Sequence, residues 1–342
     1  MTISNFLYRK GQAVDDAIWR LIFGPEDYMN LHPPLGLRCK VGALLPFRLM
    51  FGGLCHDTPI FIVGAPRSGT TLLFSLLRES SELLSFGQES HWAWEKFHRP
   101  INSSSQSQII EPNDLTPFTS RFIRGCYSSA FGKQRFVDKS PMNSLRVKAI
   151  HRLFPDAHIV CITRNGLDNI SSLMDCWLDP VNFSGFDVPE HLNIEGYGKQ
   201  KWSMILQPDW RLVTNSPLVE VCCHQWLKVN EYILSNKSEI PNSQWHDVRY
   251  ENLVENPTET TEELCRRVSL PYSQTISSFA ERMSSRVVNT NTKPGIGKWK
   301  DQRHSKQING IIDKVLPMMN SLGYNIDEFV EPNTLASPEA RT

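Results

Sequence analysis

The chain has 342 residues, of which 40% are hydrophobic, and this share is sufficient for a large buried core. Its 36 basic and 36 acidic residues balance, so the overall charge argues against nucleic acid as a partner. The eight cysteines include no CxxC pair and no cluster with the spacing of metal ligands, so we expect free thiols, no disulfide framework and no metal.

Residues 1–57 are predicted to form a helical lead-in to the main domain. The first residues carry charge, but no apolar stretch typical of a secretory signal follows them. Residues 41–54 are apolar, yet Pro46 and Arg48 interrupt them and they are too short to span a bilayer. We expect this stretch to pack against the domain, and a peripheral membrane contact is the alternative.

A strand, a glycine-containing loop and a helix are predicted in succession over residues 60–77. The strand is the apolar run IFIV, the loop follows as GAPRSG, and leucines then recur at helical spacing. This order aims backbone N–H groups at a phosphate. The spacing matches a nucleotide-triphosphate loop, but Thr70 stands where the phosphate-binding lysine would be. Triphosphate chemistry is therefore not expected, and Arg67 is the predicted cation for a bound anion.

The residues PRSGTTLL resemble the 5′-phosphosulfate loop of sulfotransferases that use 3′-phosphoadenosine-5′-phosphosulfate (PAPS). Together with the motifs that follow along the chain, the loop resembles the bacterial and tyrosylprotein-type branch more closely than the cytosolic branch. The resemblance implies that the 5′-phosphosulfate is bound by Arg67, Ser68, Gly69, Thr70 and Thr71.

The segment FGQESHW at residues 86–92 bears on the catalytic base. It resembles a stretch of the tyrosylprotein-type branch in which a glutamate takes the acceptor's proton, and this implies Glu89 as the base. His91 is the alternative, because the cytosolic branch uses a histidine, although from another segment. A solvated loop acid is the non-functional interpretation of Glu89.

The segment FVDKSP at residues 136–141 resembles the strand end that brings a lysine to the sulfuryl group. The resemblance implies that Lys139, together with Arg67, offsets the charge that develops on the leaving phosphate oxygen.

Residues 154–163 are predicted to form a turn and a buried strand, with Arg164 at the strand's end and a helix after it. Ser172 follows Arg164 by two helical turns. The resemblance implies that Arg164 and Ser172 bind the nucleotide's 3′-phosphate, for which the planar guanidinium is well suited. Ser171 is the neighbouring alternative to Ser172.

Two segments near the end of the chain also resemble the family. The residues VRYENLVENP imply that Tyr250 approaches the adenine. The residues KPGIGKWKD resemble a segment that folds over the nucleotide, which implies that Lys298 and Lys300 reach phosphate and that Trp299 stacks on adenine. An ordinary loop with solvated lysines is the alternative.

The predicted fold is a three-layer α/β fold of the P-loop type, with a mainly parallel central sheet flanked by helices. One domain is expected over 58–330, with insertions near 98–133 and 179–217, followed by a flexible tail over 331–342. The aromatic residues of the second insertion suit either an acceptor wall or a local core.

The predicted function is sulfuryl transfer from PAPS to a hydroxyl or amine acceptor, which leaves 3′-phosphoadenosine-5′-phosphate (PAP) and needs no metal. A P-loop kinase or NTPase and a non-catalytic nucleotide-binding protein are the alternatives. The acceptor (a small molecule, lipid, carbohydrate or peptide tyrosine) and the oligomeric state are left open. Golgi enzymes of this family carry a membrane anchor that we do not find in the sequence, so a cytoplasmic location is expected.

Overall fold

The computed structural model describes residues 33–53, 57–100, 106–179, 183, 185–283, 294–301 and 303–329. Most of the predicted lead-in and the predicted tail over 331–342 therefore lie outside the described residues, and the domain boundaries stay a prediction. Among the described residues, no helix is both long enough and apolar enough to cross a membrane.

A four-stranded parallel sheet forms the centre of the protein, in the order β2-β1-β3-β6, and two further short strands pair antiparallel away from it. The strands are β1 (Ile60–Val63), β2 (Val137–Lys139), β3 (His158–Thr163), β4 (Phe186–Asp187), β5 (Lys201–Trp202) and β6 (Trp245–Arg249).

Helices cover both faces of the sheet. They are α1 (Leu35–Phe51), α2 (Thr70–Leu77), α3 (His91–Glu95), α4 (Pro117–Phe131), α5 (Val147–Leu153), α6 (Gly166–Leu178), α7 (Leu218–Lys237), α8 (Tyr250–Glu255), α9 (Pro257–Arg267), α10 (Gln274–Glu281), α11 (Lys298–Asp301), α12 (Ser305–Asn309) and α13 (Ile312–Ser321). Short 3₁₀ turns lie at Pro112–Asp114, Pro141–Leu145, Trp210–Val213 and Ile326–Glu328.

The side chains of each central strand alternate between two cores. In β1, Phe61 and Val63 join the core beneath α1, α4, α5, α6 and α7, whereas Ile60 and Ile62 join the core beneath α2, α8, α9 and α10. A strand buried on both faces is apolar throughout, as the run IFIV is. The predicted three-layer α/β fold with a parallel sheet is confirmed.

Two tryptophans of the second insertion form a local core. Trp202 and Trp210 are buried, and the ring centroid of Trp202 lies 5.1 Å from that of Trp177 on α6 and 5.1 Å from that of Trp210. Such edge-to-face contacts stabilise an aromatic cluster beyond simple burial. Of the two interpretations of these tryptophans, local packing therefore applies, and they do not line an open wall.

Because all four central strands are parallel, their carboxyl ends meet at one edge of the sheet. Lys139 ends β2, Gly64 follows β1, Arg164 follows β3 and Tyr250 follows β6. Ligands of open α/β sheets bind at this edge. The residues that sequence analysis singled out from four separate segments therefore come together in space.

Candidate active site

The loop after β1 begins at a position that only glycine can occupy. A Cβ on Gly64 would collide with the carbonyl oxygen of Ile162 on the neighbouring strand. The hydroxyl of Ser144 then fixes the peptide, since it accepts from Gly64 N at 2.8 Å and donates to Gly64 O at 2.9 Å. The loop therefore leaves the sheet in one defined direction.

The loop ends at Gly69, immediately before α2. Gly69 has φ 101°, a left-handed conformation that favours glycine, and a Cβ there would collide with the ring of Tyr250. The first N–H groups of α2, at Thr70 and Thr71, have no partner within the helix and point towards the loop. Tyr250 thus packs on the loop, and the helix N-terminus favours an anion beside it.

Ser68 carries a buried hydroxyl that fits an anion. Its side chain is 1% exposed, and Oγ has no hydrogen-bond partner among the described residues. Its backbone N–H donates to the carbonyl of Ala65 at 3.0 Å. An unsatisfied buried hydroxyl costs about 1–3 kcal/mol, so a ligand oxygen that accepts from Ser68 would remove this penalty.

Arg67 lies in the middle of the loop with φ 71°, which is strained for a residue with a side chain. Its Nε donates to Ser172 Oγ on α6 at 3.2 Å, and its guanidinium lies 5.4 Å from the ring centroid of Phe183. The predicted 5′ loop and the predicted 3′-phosphate serine are therefore in direct contact. Ser171, the alternative to Ser172, is buried.

Arg164 links three parts of the site. Its guanidinium donates to the carbonyl of Arg67 at 3.1 Å and to the carbonyl of Gly295 at 3.5 Å, and it stacks 4.5 Å from the ring centroid of Tyr250. Its Nε is buried and has no hydrogen-bond partner among the described residues. Arg164 thus retains a donor that a phosphate oxygen can satisfy.

The segment around α11 closes against the same site. Asp168 on α6 accepts from the backbone N–H of Gly297 at 2.7 Å and of Trp299 at 3.0 Å, one with each carboxylate oxygen. Gly295 N also donates to the hydroxyl of Tyr250 at 3.3 Å. These contacts hold the lysine-bearing segment beside Arg164, as the predicted closure over the nucleotide requires.

Lys298 is brought close to Arg164, whereas Trp299 is turned away. Burial lowers the pKa of Lys298, the charge of Arg164 acts in the same direction, and Asp168 opposes both. The ring of Trp299 is buried in the core, so it is not open to stack on adenine in this structure. Lys300 is exposed. Arg164 and Lys298 are therefore neighbouring cations at the sheet edge, and Arg67 belongs to the loop whose backbone Arg164 contacts.

The predicted base and the predicted catalytic lysine form an ion pair. Lys139 Nζ lies 2.6 Å from Glu89 Oε1, and their side chains are 6% and 14% exposed. Lys139 pairs with Ile62 across the sheet, which puts it beside the start of the phosphate loop. His91 is buried at the start of α3. This geometry brings Glu89 into contact with the lysine that was predicted to be catalytic.

A buried network of hydrogen bonds lies next to this ion pair and connects the residues beside Glu89 and Lys139. The hydroxyl of Tyr127 donates to Ser90 Oγ at 2.9 Å and accepts from Trp94 Nε1 at 3.0 Å. Asp138 is buried and accepts from Asn143 Nδ2 at 2.8 Å. Burial raises the pKa of Asp138, while hydrogen bonds from Asn143, Ser90 and Tyr127 partly offset this rise. Ser90 follows Glu89 and Asp138 precedes Lys139, so the network ties both loops together.

Comparison with known proteins identifies the family. Residues 59–274, more than half of the chain, match the family model described as the sulfotransferase family. The chain belongs to the sulfotransferase family.

The similar proteins include protein-tyrosine sulfotransferases of two animals. The Drosophila melanogaster enzyme is 22% identical over 307 residues, which cover 82% of this chain and 54% of that protein. Protein-tyrosine sulfotransferase 2 of Gallus gallus is 22% identical over 304 residues, which cover 82% of this chain and 72% of that protein. The chain thus spans about half of the Drosophila relative's length, and the predicted similarity to the tyrosylprotein-type branch is confirmed.

Similar solved structures are sulfotransferases as well. The sulfotransferase domain from the curacin biosynthetic pathway aligns with a TM-score of 0.47 at 16% identity and covers 80% of this chain and 99% of that domain. A mouse sulfotransferase complexed with PAP aligns with a TM-score of 0.44 at 15% identity and covers 82% of this chain and 90% of that one.

Two residues of this candidate site, Ser144 and Asp168, were not found from the sequence, and Phe183 was singled out only as one of the aromatic residues of the second insertion. Ser144 fixes Gly64, Asp168 holds the segment around α11, and Phe183 flanks the guanidinium of Arg67. Each lies far along the chain from its partner, and a serine, an aspartate or a phenylalanine alone carries no motif. The sequence predicted only that Asp168 lies in the first turn of α6, a position that is typical of helix capping.

Proposed function

We propose that this sulfotransferase uses PAPS as its sulfuryl donor and releases PAP. The observation that carries the proposal is the convergence of Arg67, Arg164 and Lys298 at one edge of the sheet, beside the buried hydroxyl of Ser68. Arg164 and Lys298 are neighbouring like charges that Asp168 offsets only in part, so an anion beside them would be stabilised. A nucleotide with both a 5′-phosphosulfate and a 3′-phosphate supplies enough negative charge for this pair and for Arg67.

The loop from Gly64 to Thr71 would hold the 5′ end of the donor through backbone N–H groups and the Ser68 hydroxyl. Arg164 and Ser172 would hold the 3′-phosphate. The buried Nε–H of Arg164 has no acceptor among the described residues, so a phosphate oxygen can accept its hydrogen bond. When bound, PAPS supplies an activated sulfuryl group with a phosphate leaving group. Lys139, which pairs with Ile62 beside the start of the loop, and Arg67 within the loop are proposed to offset the charge on that leaving group.

Glu89 is proposed to accept the proton of the acceptor hydroxyl. Its carboxylate is partly exposed at the edge of the site and is hydrogen bonded to Lys139, which orients it. Ser90 and Tyr127 in turn hold the backbone next to it. The proton would therefore move to Glu89 Oε as the acceptor oxygen attacks the sulfur atom.

The acceptor is proposed to be a hydroxyl group, and the phenol of a peptide tyrosine is the first to test. Two relatives are named protein-tyrosine sulfotransferases and share 22% identity over most of this chain. Small alcohols, lipids and carbohydrates stay open as acceptors, and so do amines. The cytoplasmic location likewise stays a prediction.

The proposal is tested by calorimetric titration of the purified protein with PAP, with ATP as the control. We expect PAP to bind with a Kd on the order of micromolar, and ATP to bind far more weakly. Labelled PAPS is then offered with a tyrosine peptide, a simple alcohol and a sugar in parallel. Absence of PAP binding would overturn the donor assignment, and equal affinity for ATP would contradict it as well.

A further inference from the structure

The carboxyl-terminal half of α1 exposes three large apolar side chains. Phe47, Met50 and Phe51 are 55%, 73% and 68% exposed. They lie at i, i+3 and i+4 and therefore share one side of the helix. The rings of Phe47 and Phe51 are 4.5 Å apart, so these side chains cluster with one another instead of packing on the core.

A second apolar pair lies at the same end of the α1–α4 helix pair. Phe97 and Phe118 are 44% and 54% exposed, with ring centroids 5.5 Å apart. One turn after Phe118, Arg121 donates to the carbonyl of Leu49 at 3.2 Å, so the start of α4 contacts the end of α1. The apolar face is defined here as Phe47, Met50, Phe51, Phe97 and Phe118.

The charge beside the apolar face is mainly positive, although the turn before α4 carries Glu111 and Asp114. Arg48 of α1 and Arg121 and Arg124 of α4 lie at this end of the helix pair, and neither helix contains an aspartate or glutamate. Arg38 and Lys40 lie towards the other end of α1, where Lys40 donates to the carbonyl of Ala130 at 2.6 Å. Lys96 and Arg99 flank Phe97 as well. In a chain with 36 basic and 36 acidic residues, the five cations at the end with the apolar face, beside Glu111 and Asp114, are a local excess of positive charge.

The combination of positive charge and exposed apolar side chains favours an anionic bilayer over a second copy of the chain as the partner of the apolar face. Exposed aromatic side chains surrounded by lysine and arginine are typical of surfaces that insert into the interface of an anionic bilayer. A two-fold contact with a second copy would bring the same cations against one another, and like charges across an interface are unfavourable. A bilayer with anionic head groups matches both the apolar side chains and the cations.

We propose that the apolar face docks on the surface of an anionic lipid bilayer. Phe47, Met50 and Phe51 enter the boundary between head groups and acyl chains, while Arg48, Arg121 and Arg124 contact the head groups. The contact is peripheral, because α1 has only 17 residues, three cations and an internal proline.

The test is vesicle flotation of the full chain with phosphatidylcholine vesicles and with vesicles that also contain phosphatidylserine. We expect binding only to the anionic vesicles, and this binding should weaken as the salt concentration rises. Replacement of Phe47, Met50 and Phe51 by serine should lower the partition coefficient at least about tenfold, since each loses a large apolar side chain.

Leu212→Ser is the matched control. Leu212 is 77% exposed and lies on the turn Trp210–Val213, where Arg211 pairs with Glu190 and Asp209 lies near Lys228. It is thus an exposed apolar residue in a surrounding of mixed charge, and its replacement should leave vesicle binding unchanged.

Three results would overturn the proposal: no binding of the native chain to anionic vesicles, equal binding to neutral vesicles, or full binding by the triple variant. A native dimer that the triple variant dissociates, without vesicle binding, would assign the apolar face to a second copy instead. Circular dichroism checks the fold of the triple variant. If that variant is unfolded, the lipid selectivity and the salt dependence of the native chain decide.

Discussion

Lys139 Nζ donates to Glu89 Oε1 at 2.6 Å, although the two residues are 50 positions apart in the chain. Both side chains are largely buried, so their charges are poorly screened by water, and removal of either would leave the other uncompensated. The pair couples the group proposed to accept a proton to the group proposed to stabilise the leaving phosphate. Substitutions at the site can therefore separate binding of the nucleotide from turnover.

Glu89→Gln should abolish most turnover while it leaves PAP binding intact. Glutamine keeps the shape of the side chain but cannot accept the acceptor's proton, and loss of a general base costs about 100-fold or more. Turnover is measured with labelled PAPS, and PAP affinity by calorimetry, with Glu89→Asp as the conservative control. A fully active Glu89→Gln enzyme would reject this residue as the base and direct attention to His91.

Arg67→Ala should lower turnover by roughly 100-fold or more, the scale of losing one preorganised donor to the transition state. Because Arg67 has φ 71°, Arg67→Gly removes the same guanidinium without backbone strain. We expect both variants to lose activity equally, and the glycine variant to unfold at a higher temperature than the alanine variant. A near-normal rate in the glycine variant would contradict the role of the side chain.

Ser172→Ala should weaken PAP binding more than Ser171→Ala does, since Ser172 is the serine that contacts Arg67. Arg164→Ala should weaken PAP binding further. This change removes the guanidinium group that donates to the carbonyls of Arg67 and Gly295 and is proposed to bind the 3′-phosphate. Calorimetry with PAP ranks the three variants. Unchanged affinity in Arg164→Ala would reject the 3′-phosphate assignment, and the reverse order of the two serines would favour Ser171.

Tyr127→Phe should destabilise the fold by about 1–3 kcal/mol, because Trp94 Nε1 loses its buried acceptor and Ser90 Oγ loses a donor. Denaturant unfolding measures this change. If the network also positions Glu89, turnover should fall while PAP affinity is retained. The control is Tyr232→Phe, which removes a hydroxyl bonded to Glu111 away from the site. Equal stability of the Tyr127→Phe variant and the native chain would contradict the network.

The histidine pair at the opposite edge of the sheet should make the fold sensitive to acid. His158 Nδ1 and His246 Nε2 lie 2.8 Å apart. Burial lowers the pKa of His246 from 6.5 to about 4, and the charges of His158 and Arg267 act in the same direction while Asp247 opposes them. Burial and the charge of Arg135 also lower the pKa of His158.

A lowered histidine pKa means that the unfolded chain takes up protons that the folded chain excludes. The stabilisation is therefore complete above pH 6.5 and is lost as the pH falls from 6.5 towards about 4. We expect the melting temperature of the native chain to decrease over this range, and that of His246→Gln to decrease less. Parallel pH profiles for the two proteins would show that the pair does not govern acid stability.

Short segments of the sequence were sufficient to predict much of the fold and of the nucleotide site. The apolar run of β1, the loop to Gly69 and the leucines of α2 follow one another, so their order alone predicts a strand, an anion loop and a helix. Arg164 was predicted at the end of β3 for the same reason. Neither prediction depends on a distant part of the chain.

Other features could not be predicted because they depend on what packs against them. The tryptophans at 202 and 210 suited a wall or a core equally well, and only burial against α6 distinguishes the two. Trp299 was predicted at the adenine, yet two hydrogen bonds to Asp168 fix the backbone of its segment and its ring packs in the core. The exposed side of α1 likewise depends on tertiary packing, because α4 covers only the opposite side of that helix.

The sequence by itself determined the family and the parallel α/β architecture, and it singled out the candidate phosphate-binding residues, because these depend on neighbouring residues with a fixed local geometry. The tertiary structure alone decided which of these residues meet. Glu89 and Lys139 are 50 positions apart, Arg67 and Ser172 are 105 apart, and Asp168 and Gly297 are 129 apart. Contacts over such separations form only when parallel strands bring their carboxyl ends to one edge, and no local pattern encodes them.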